Sequence, residues 1–524
     1  MGVAKVTVNN VVKVDLTSDT VAADKLLSDY TAHGADGEAI TGTYAGGGVA
    51  AESDVNFRDY DGTLIKSYSA AEFANVTELP ANPSHTGLTA QGWNWSLSDA
   101  KTYVANYGGL EIGQMYITDD EKTRLYITLD DPNALSIGMY FSANTTYYAF
   151  IDFGDDSGEH QVYGSNLYSK QVIEHTYTST GDYVITLWPY SSSDKVGLYV
   201  GESSTSFLFY FKNGVYSTSN INYLITSLRI LKKVELGRID LISSYAFNCC
   251  HELETITMPI NIGHTDMYTG VFYECISLKY ITIPTSITSI SNYYLFQKCR
   301  SLKGISLPNS LTSITCTYMF DGCYSLERLT IPSNVTTFYG NNNLNDAHAL
   351  KELIIPDSVQ SLSSASSLCR NCYSLKKVHL PANETAISLP QSVFDSCTAL
   401  RSVTIPSNFT TFGSYAFSST GSLGKMVIPS GISTIPSSCF SSSYGLSNIN
   451  IPATVTSILS YAFSNCYGLQ AIHFQGSTPP TVNSSNTFTN LNRYCKIYVP
   501  SGSLSSYTSA TNYPSSSTYT YIEE

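Results

Sequence analysis

Cysteine is the side chain in this sequence best suited to chemistry, and all 12 copies lie between Cys249 and Cys495. Cys369 and Cys372 have the C-x-x-C spacing of redox and metal sites. No second pair lies nearby to complete the four ligands that a structural zinc takes. Six cysteines (Cys250, Cys275, Cys299, Cys323, Cys372 and Cys397) stand three residues before a leucine, as does Cys466. One residue type at one spacing reads as a buried stripe of small, polarisable side chains. Neighbours in such a stripe sit about 4.8 Å apart, but their parallel Cβ vectors disfavour bridging. Free, buried thiols are expected. Gly421-Ser422-Leu423-Gly424-Lys425 is half a phosphate-binding loop, without the four-residue spacing or the hydroxyl residue after lysine. Asp152, Asp155 and Asp156 offer carboxylates to a calcium ion, yet a tight turn accounts for the same residues. No G-x-S-x-G, H-E-x-x-H or dinucleotide glycine pattern occurs. The expectation is no catalytic residue, no cofactor, no metal and no enzyme.

The element that carries the cysteines is set by leucine. Ten leucines recur from Leu253 to Leu469 at intervals of 23 to 25 residues, the signature of a solenoid. The consensus is F-x-x-C-x-x-L-x-x-I-x-I-P-x-x-I-x-x-I, clearest from Phe272 to Ile290. In it L-x-x-I-x-I is a short strand with Leu and both Ile pointing inward, and Pro ends the strand. Phe and Cys close the remaining side. Ten strands about 4.8 Å apart make a parallel sheet roughly 45 Å long. Solenoids present extended surfaces, so recognition falls to the outward positions between the leucines. The middle rungs gather Tyr280, Arg328, Glu352, Lys377 and His379 there, and Asn448, Asn450 and His473 follow toward the C-terminus. This mixed polar and aromatic set suits contact with carbohydrate or protein.

Composition narrows the partners. The 524 residues are 13% charged, with 40 Tyr against 3 Trp and a formal net charge of −14. Net negative charge argues against holding nucleic acid through its phosphates. No apolar stretch approaches the roughly 18 residues of a membrane span, and Met1–Asn10 has no apolar signal region. Expected regions are a docking segment 1–47, with a strand near Lys5–Val14 and a helix near Thr20–Tyr30, and a small α+β module 54–118 containing Trp93 and Trp95. A β-sandwich 120–202 follows, then a solenoid cap 203–238 on the apolar run Tyr223–Val234, the repeats 239–480 and a C-terminal cap and tail 481–524. The fold class is multidomain and mainly β, a leucine-rich-repeat solenoid with short parallel strands preceded by an immunoglobulin-like β-sandwich and small N-terminal modules. Two turns depart from consensus, with Leu344 and Ala347 replacing Phe and Cys, and Cys369 replacing Phe. They are expected to be locally looser or to bear an insertion.

The repeat closely resembles the BspA-like leucine-rich repeats, a bacterial and phage variety with a proline after each strand. Phe474–Pro480 and Ile497–Pro500 look like that family's C-terminal closure. Ile151-Asp152-Phe153-Gly154-Asp155, Glu174-His175-Thr176-Tyr177 and Gly181–Leu187 resemble the PKD family, with Phe153 for its Trp and Asp156 for its second Gly. That resemblance implies an immunoglobulin-like spacer or glycan-contacting module. The run Val14–His33 with Ile40-Thr41-Gly42-Thr43, and the stretch Asn82–Trp95, resemble tail-associated proteins of phages of gut Gram-positive bacteria. This implies a virion component, made in the host cytoplasm, docked to other virion proteins by its N-terminus. On this reading the chain is a tail fibre or similar adhesin that binds a host surface glycan or protein through the repeat face. It binds no nucleic acid, inserts in no membrane, and is a candidate homo-oligomer. The alternatives are a bacterial cell-surface adhesin of the BspA type and a particle decoration without a specific receptor.

Overall fold

The computed structural model describes residues 54–145, 148–200, 207–211, 229–362 and 364–524, together with four short strands before residue 42. Two of those strands, Ala4–Val8 and Val11–Leu16, pair antiparallel. The helix expected at Thr20–Tyr30 and residues 203–206 and 212–228 of the expected cap lie outside the described residues.

The repeats form a β-solenoid of about twelve turns. Each front strand is three or four residues, as in Tyr280–Thr282 and Gly304–Ser306, which pair in parallel and in register. Proline then removes a backbone donor and stops the ladder. Two-residue strands such as Ser289–Ile290, Ser313–Ile314 and Thr337–Phe338 build a second parallel sheet behind. The third side is a column of phenylalanines. Phe272, Phe296 and Phe320 stack at 5.3 and 5.6 Å, within 3° of parallel. Phe417, Phe440, Phe463 and Phe488 repeat the arrangement at 5.4 to 5.5 Å.

The backbone around each Phe is unusual. Tyr294 and Lys298, flanking Phe296, are left-handed at φ 64° and 61°, a conformation that costs a residue with a Cβ about 1–2 kcal/mol. Alternating handedness aims every second N–H along the solenoid axis. Tyr294, Phe296 and Lys298 donate to Thr317, Met319 and Asp321 of the next turn at 2.9, 2.9 and 2.7 Å. The cysteines add a side-chain stitch. Cys275, Cys299 and Cys323 donate to the carbonyls of Phe247, Phe272 and Phe296 in the preceding turn at 3.0–3.1 Å. Where the column carries Ser443 instead, its hydroxyl donates to Phe417 O at 2.6 Å. All twelve cysteines are free and buried.

In the two turns expected to be loose the phenylalanine side is regular, while the back sheet breaks between them, where residues 359–362 form no strand. Leu344, Ala347 and Cys369 are fully buried, and Asn342, Asp346, Ser367 and Asn371 keep the left-handed backbone. Compensation comes from a polar ladder beside the missing Phe, with Asn345 and Asn371 donating to Asp321 and Asp346 at 2.7 and 2.8 Å. A further irregularity follows. Residues 401–406 form no strand, and the pairing of Ile387–Leu389 with Phe409–Phe412 slips by one residue.

At the N-terminal end two further sheets adjoin the array. Thr123–Leu129, Gly181–Pro189, Ala149–Asp152 and Glu159–Val162 make one; Ser136–Asn144, Ser165–Thr176, Lys195–Leu198 and Phe209–Phe211 make the other. Both run into the array. Leu231–Glu235 pairs antiparallel with Thr123–Leu129 and parallel with Thr255–Thr257, while Lys195–Leu198 pairs parallel with Leu241–Ile242. One hydrophobic core therefore continues from Leu125 to Tyr507. At the far end, Lys496–Val499 and Thr520–Glu523 extend the front sheet. Tyr507 and Tyr513 bond to Gly476 O and Pro480 O and close the core.

Residues 54–118 fold as a four-stranded sheet, in the order Leu64–Tyr68, Val55–Arg58, Leu110–Thr118, Leu88–Trp93. Two helices accompany it. Ala70–Ala74 is opened by a Ser69–Glu72 capping box, and Leu97–Tyr107 is capped by Ser96.

Candidate recognition face

The outward face of the front sheet, where recognition was expected, is divided into two halves. The 54–118 module lies across the first half. The front strands Thr255–Thr257, Tyr280–Thr282, Gly304–Ser306 and Arg328–Thr330 are each followed by one residue and then proline, and the carbonyl before that proline lies where ladder pairing stops. The module supplies a donor to four of these in succession. Tyr116 N–H reaches Met258 O at 3.2 Å, Asn94 Nδ2 reaches Ile283 O at 3.2 Å, Trp95 Nε1 reaches Leu307 O at 2.8 Å, and the Tyr103 hydroxyl reaches Ile331 O at 3.0 Å. On the next turn Tyr107 accepts from Asp357 N–H at 3.0 Å. Buried backbone oxygens demand partners, so this ladder fixes the module's register turn by turn.

Packing is close. A Cβ on Gly113 would stand 2.0 Å from Thr282 Oγ1, and one on Gly62 would stand 2.8 Å from Tyr280 Cβ. Ser306, fully buried, donates to Glu111 O at 2.8 Å. Phe57, Trp93, Trp95, Tyr103 and Ile354 share a core that joins module to array.

This placement changes the role of the expected site residues. Tyr280 is 2% exposed under Gly62, and burial, with Glu111 adding to it, pushes its phenol pKa up. Arg328 sits 3.8 Å from Glu111 and 3.1 Å from Glu352. Lys377 holds the other Glu352 oxygen at 2.6 Å, and Arg58 holds Glu111 at 2.7 Å. His379 pairs with Asp357 at 3.1 Å and meets the Tyr107 ring edge-on. The expectation of an open middle face is corrected for Tyr280 and Glu352, which the module buries, whereas Lys377 stays exposed and lines, with Tyr280, Arg328 and Glu352, the cleft left between module and array. Asn448, Asn450 and His473 lie beyond the module. His473 stacks on Tyr498 at 4.3 Å and bonds Glu524 at 2.9 Å, and Asn448 lies 3.5 Å from its other ring nitrogen.

Between module and array a cleft of about 680 Å³ remains. Of its 15 lining residues 11 are charged, in a chain only 13% charged, so charge is concentrated there. The cations number six and the anions five. Lys279 is paired with Glu254 at 2.5 Å and Lys351 with Glu327. Lys303 is exposed and has no ion pair among the described residues. Sequence reasoning missed Lys279, Lys303 and Lys351, which follow the repeat leucine directly. Recurring charge at one repeat position, Glu254, Lys279, Lys303, Glu327, Lys351 and Lys376, was the available signal.

The aspartates weighed for calcium are otherwise engaged. Asp155 pairs with His175 at 2.7 Å, whose ring stacks on Phe153 at 4.2 Å. Asp152 accepts from Gly154 N–H at 2.8 Å and Asp156 is left-handed, as a tight turn requires.

These turns define a leucine-rich-repeat solenoid. Residues 240–368 and 365–495 match the BspA type leucine rich repeat region, in 6 copies, and the array is of that type. A leucine-rich repeat protein from Bacteroides ovatus ATCC 8483 is 23% identical, with a TM-score of 0.44 over 56% of this chain and 66% of that chain. This chain thus spans just under two thirds of that relative. The leucine rich repeat protein of T. pallidum is 26% identical, with a TM-score of 0.28 over 32% of this chain and 72% of its own. A leucine rich cell surface protein from Faecalibacterium prausnitzii A2-165 is 23% identical, with a TM-score of 0.25 over 47% and 70%. No curated protein sequence matches the chain.

Proposed function

We propose that this chain is a non-enzymatic adhesin that recognises a bacterial surface polymer through the repeat face, with the charged cleft as its principal contact. The observation that carries this reading is the concentration of charge in that cleft, around a lysine without an ion-pair partner among the described residues. Lys303 stands in its column between Lys279 and Glu327, with Lys351 one turn beyond, and it suits a polymer bearing carboxylates or phosphates, such as an acidic surface glycan. The open C-terminal rungs around Asn448, Asn450 and His473 extend the same face. Surfaces of this kind bind by many shallow polar contacts rather than by one deep pocket.

The resemblance of residues 14–43 to the opening of phage tail-associated proteins supports a virion mount, with the array pointing toward the host. The PKD-like motif supports a spacer role for residues 120–202. The resemblance of Asn82–Trp95 weighs less, because its asparagine and tryptophans have a complete structural account in module docking. The BspA-type array itself supports the second reading, an adhesin on a bacterial cell.

Binding of the labelled full chain to candidate host cells tests the proposal. Lys303→Glu is expected to weaken binding at least about tenfold, the equivalent of about 1.4 kcal/mol, and raised salt to weaken the wild type. Unchanged binding by Lys303→Glu removes the cleft from consideration. Antibody labelling of phage particles against bacterial surfaces separates the two mounts.

A further inference from the structure

The turn that begins the array brings three metal-ligand side chains to one point. Cys249 stands two residues after Phe247, and His251 two residues further on. Glu274 holds, after Phe272, the position that Cys249 holds in its own turn. Both are left-handed, at φ 55° and 56°, and Cys249 N–H donates to Tyr273 O at 2.7 Å. The repeat therefore stacks the thiol and the carboxylate in one column.

Cys249 Sγ lies 3.7 Å from Glu274 Oε2, and His251 Nε2 lies 3.9 Å from the same oxygen. All three ligand atoms fall within 4.8 Å of one another. A tetrahedral zinc-type ion with bonds of about 2.3 Å to sulfur and about 2.0 Å to nitrogen and oxygen needs separations of roughly 3.5 and 3.3 Å. The sulfur–oxygen pair is already near its separation, and turning the partly exposed His251 ring toward Sγ and Oε2 would close the site. Lys298 holds the other carboxylate oxygen at 2.6 Å, which leaves Oε2 facing the thiol and the imidazole. The His251 and Glu274 side chains are 21% and 25% exposed, so solvent can reach the fourth position.

Cys249 also differs from the ladder thiols. Those donate to a carbonyl of the preceding turn, whereas Cys249 turns to Asn248 Oδ1 at 3.2 Å and to Glu274. We propose that Cys249, His251 and Glu274 form a site for a thiophilic divalent cation of the zinc class, with water as the fourth ligand. Without metal, burial and the Glu274 charge push the thiol up to about 12, so it is protonated. Binding replaces the S–H bond by a sulfur–metal bond and passes one proton to the buffer. Joining the first turn to the second, the ion would pin the start of the array.

The test uses the reduced, metal-free full chain titrated with Co²⁺. Expected are saturation at one equivalent, a thiolate-to-cobalt charge-transfer absorption, release of one proton per ion, and displacement by Zn²⁺. Loss of an outer-sphere partner costs metal sites roughly 10–100-fold, so Cys249→Ser is expected to abolish the absorption and cut affinity at least about 100-fold. Glu274→Gln, at a more exposed position, is expected to weaken binding while leaving the fold intact by circular dichroism. Absence of the absorption in the wild type, or its survival in Cys249→Ser, would show a hydrogen-bonded cluster and overturn the site.

Discussion

At the scale of single residues, the repeat cysteine is a hydrogen-bond donor as well as a filler. Its thiol reaches back one turn, and the hydroxyl of Ser443 makes the same bond in a turn with serine at the ladder position. Burial lifts the ladder thiols well above their usual range, so they are donors and not thiolates. Cys299→Ser is therefore expected to stay within about 1 kcal/mol of wild type. Cys299→Ala, which loses the donor and leaves a small void, costs about 1–2 kcal/mol. Chemical denaturation of the two variants compares them, and equal losses would refute the donor role. The C-x-x-C at Cys369 and Cys372 has the same explanation, since Cys372 donates to Leu344 O at 3.1 Å while Cys369 fills a phenylalanine position.

Between residue and molecule stands the solenoid turn, which gains stability only against its neighbours. The phenylalanine stack is the clearest case. Phe296 is fully buried between Phe272 and Phe320, with left-handed residues on both sides that need the stack to hold them. Phe296→Ala is expected to cost about 3–5 kcal/mol and to loosen both adjacent turns. Amide hydrogen exchange at Tyr273 and Phe320 measures the spread, and protection unchanged there would mean that the turns are independent. Leucine period, inward isoleucines and the stop at proline were legible in the sequence, because each is a local rule repeated. The left-handed pairs were not. Tyr, Lys, Glu, Asn and Ser all occupy them, and no single residue type marks the conformation. The regular phenylalanine side of the Leu344 and Cys369 turns was missed for a related reason. An Asn–Asp ladder beside the core replaces the aromatic contact, and it involves residues that look like ordinary surface.

At the scale of the whole molecule, the 54–118 module decides which part of the face is available. It is held by donors spaced to match successive pre-proline carbonyls and by Trp95, 3% exposed. Trp95→Ala removes a bond to Leu307 O together with a large buried ring, a loss of about 3–5 kcal/mol of docking. The expected outcome is protease cleavage within residues 54–118 at concentrations that spare the wild type, while the array stays folded. Continued resistance would mean that the polar ladder alone retains the module.

By itself the sequence determined the solenoid, its BspA-like repeat and the free, buried state of its thiols, since periodic burial is written locally in every turn. Tertiary structure alone decided where recognition is open. Tyr116, Asn94, Trp95 and Tyr103 meet carbonyls from 142 to 228 residues away, and nothing in the local pattern of either partner announces the other. The same long reach turned Tyr280, Arg328 and Glu352 from an exposed binding set into an internal contact. It also left a charged cleft that these three residues line, together with Lys279, Lys303 and Lys351.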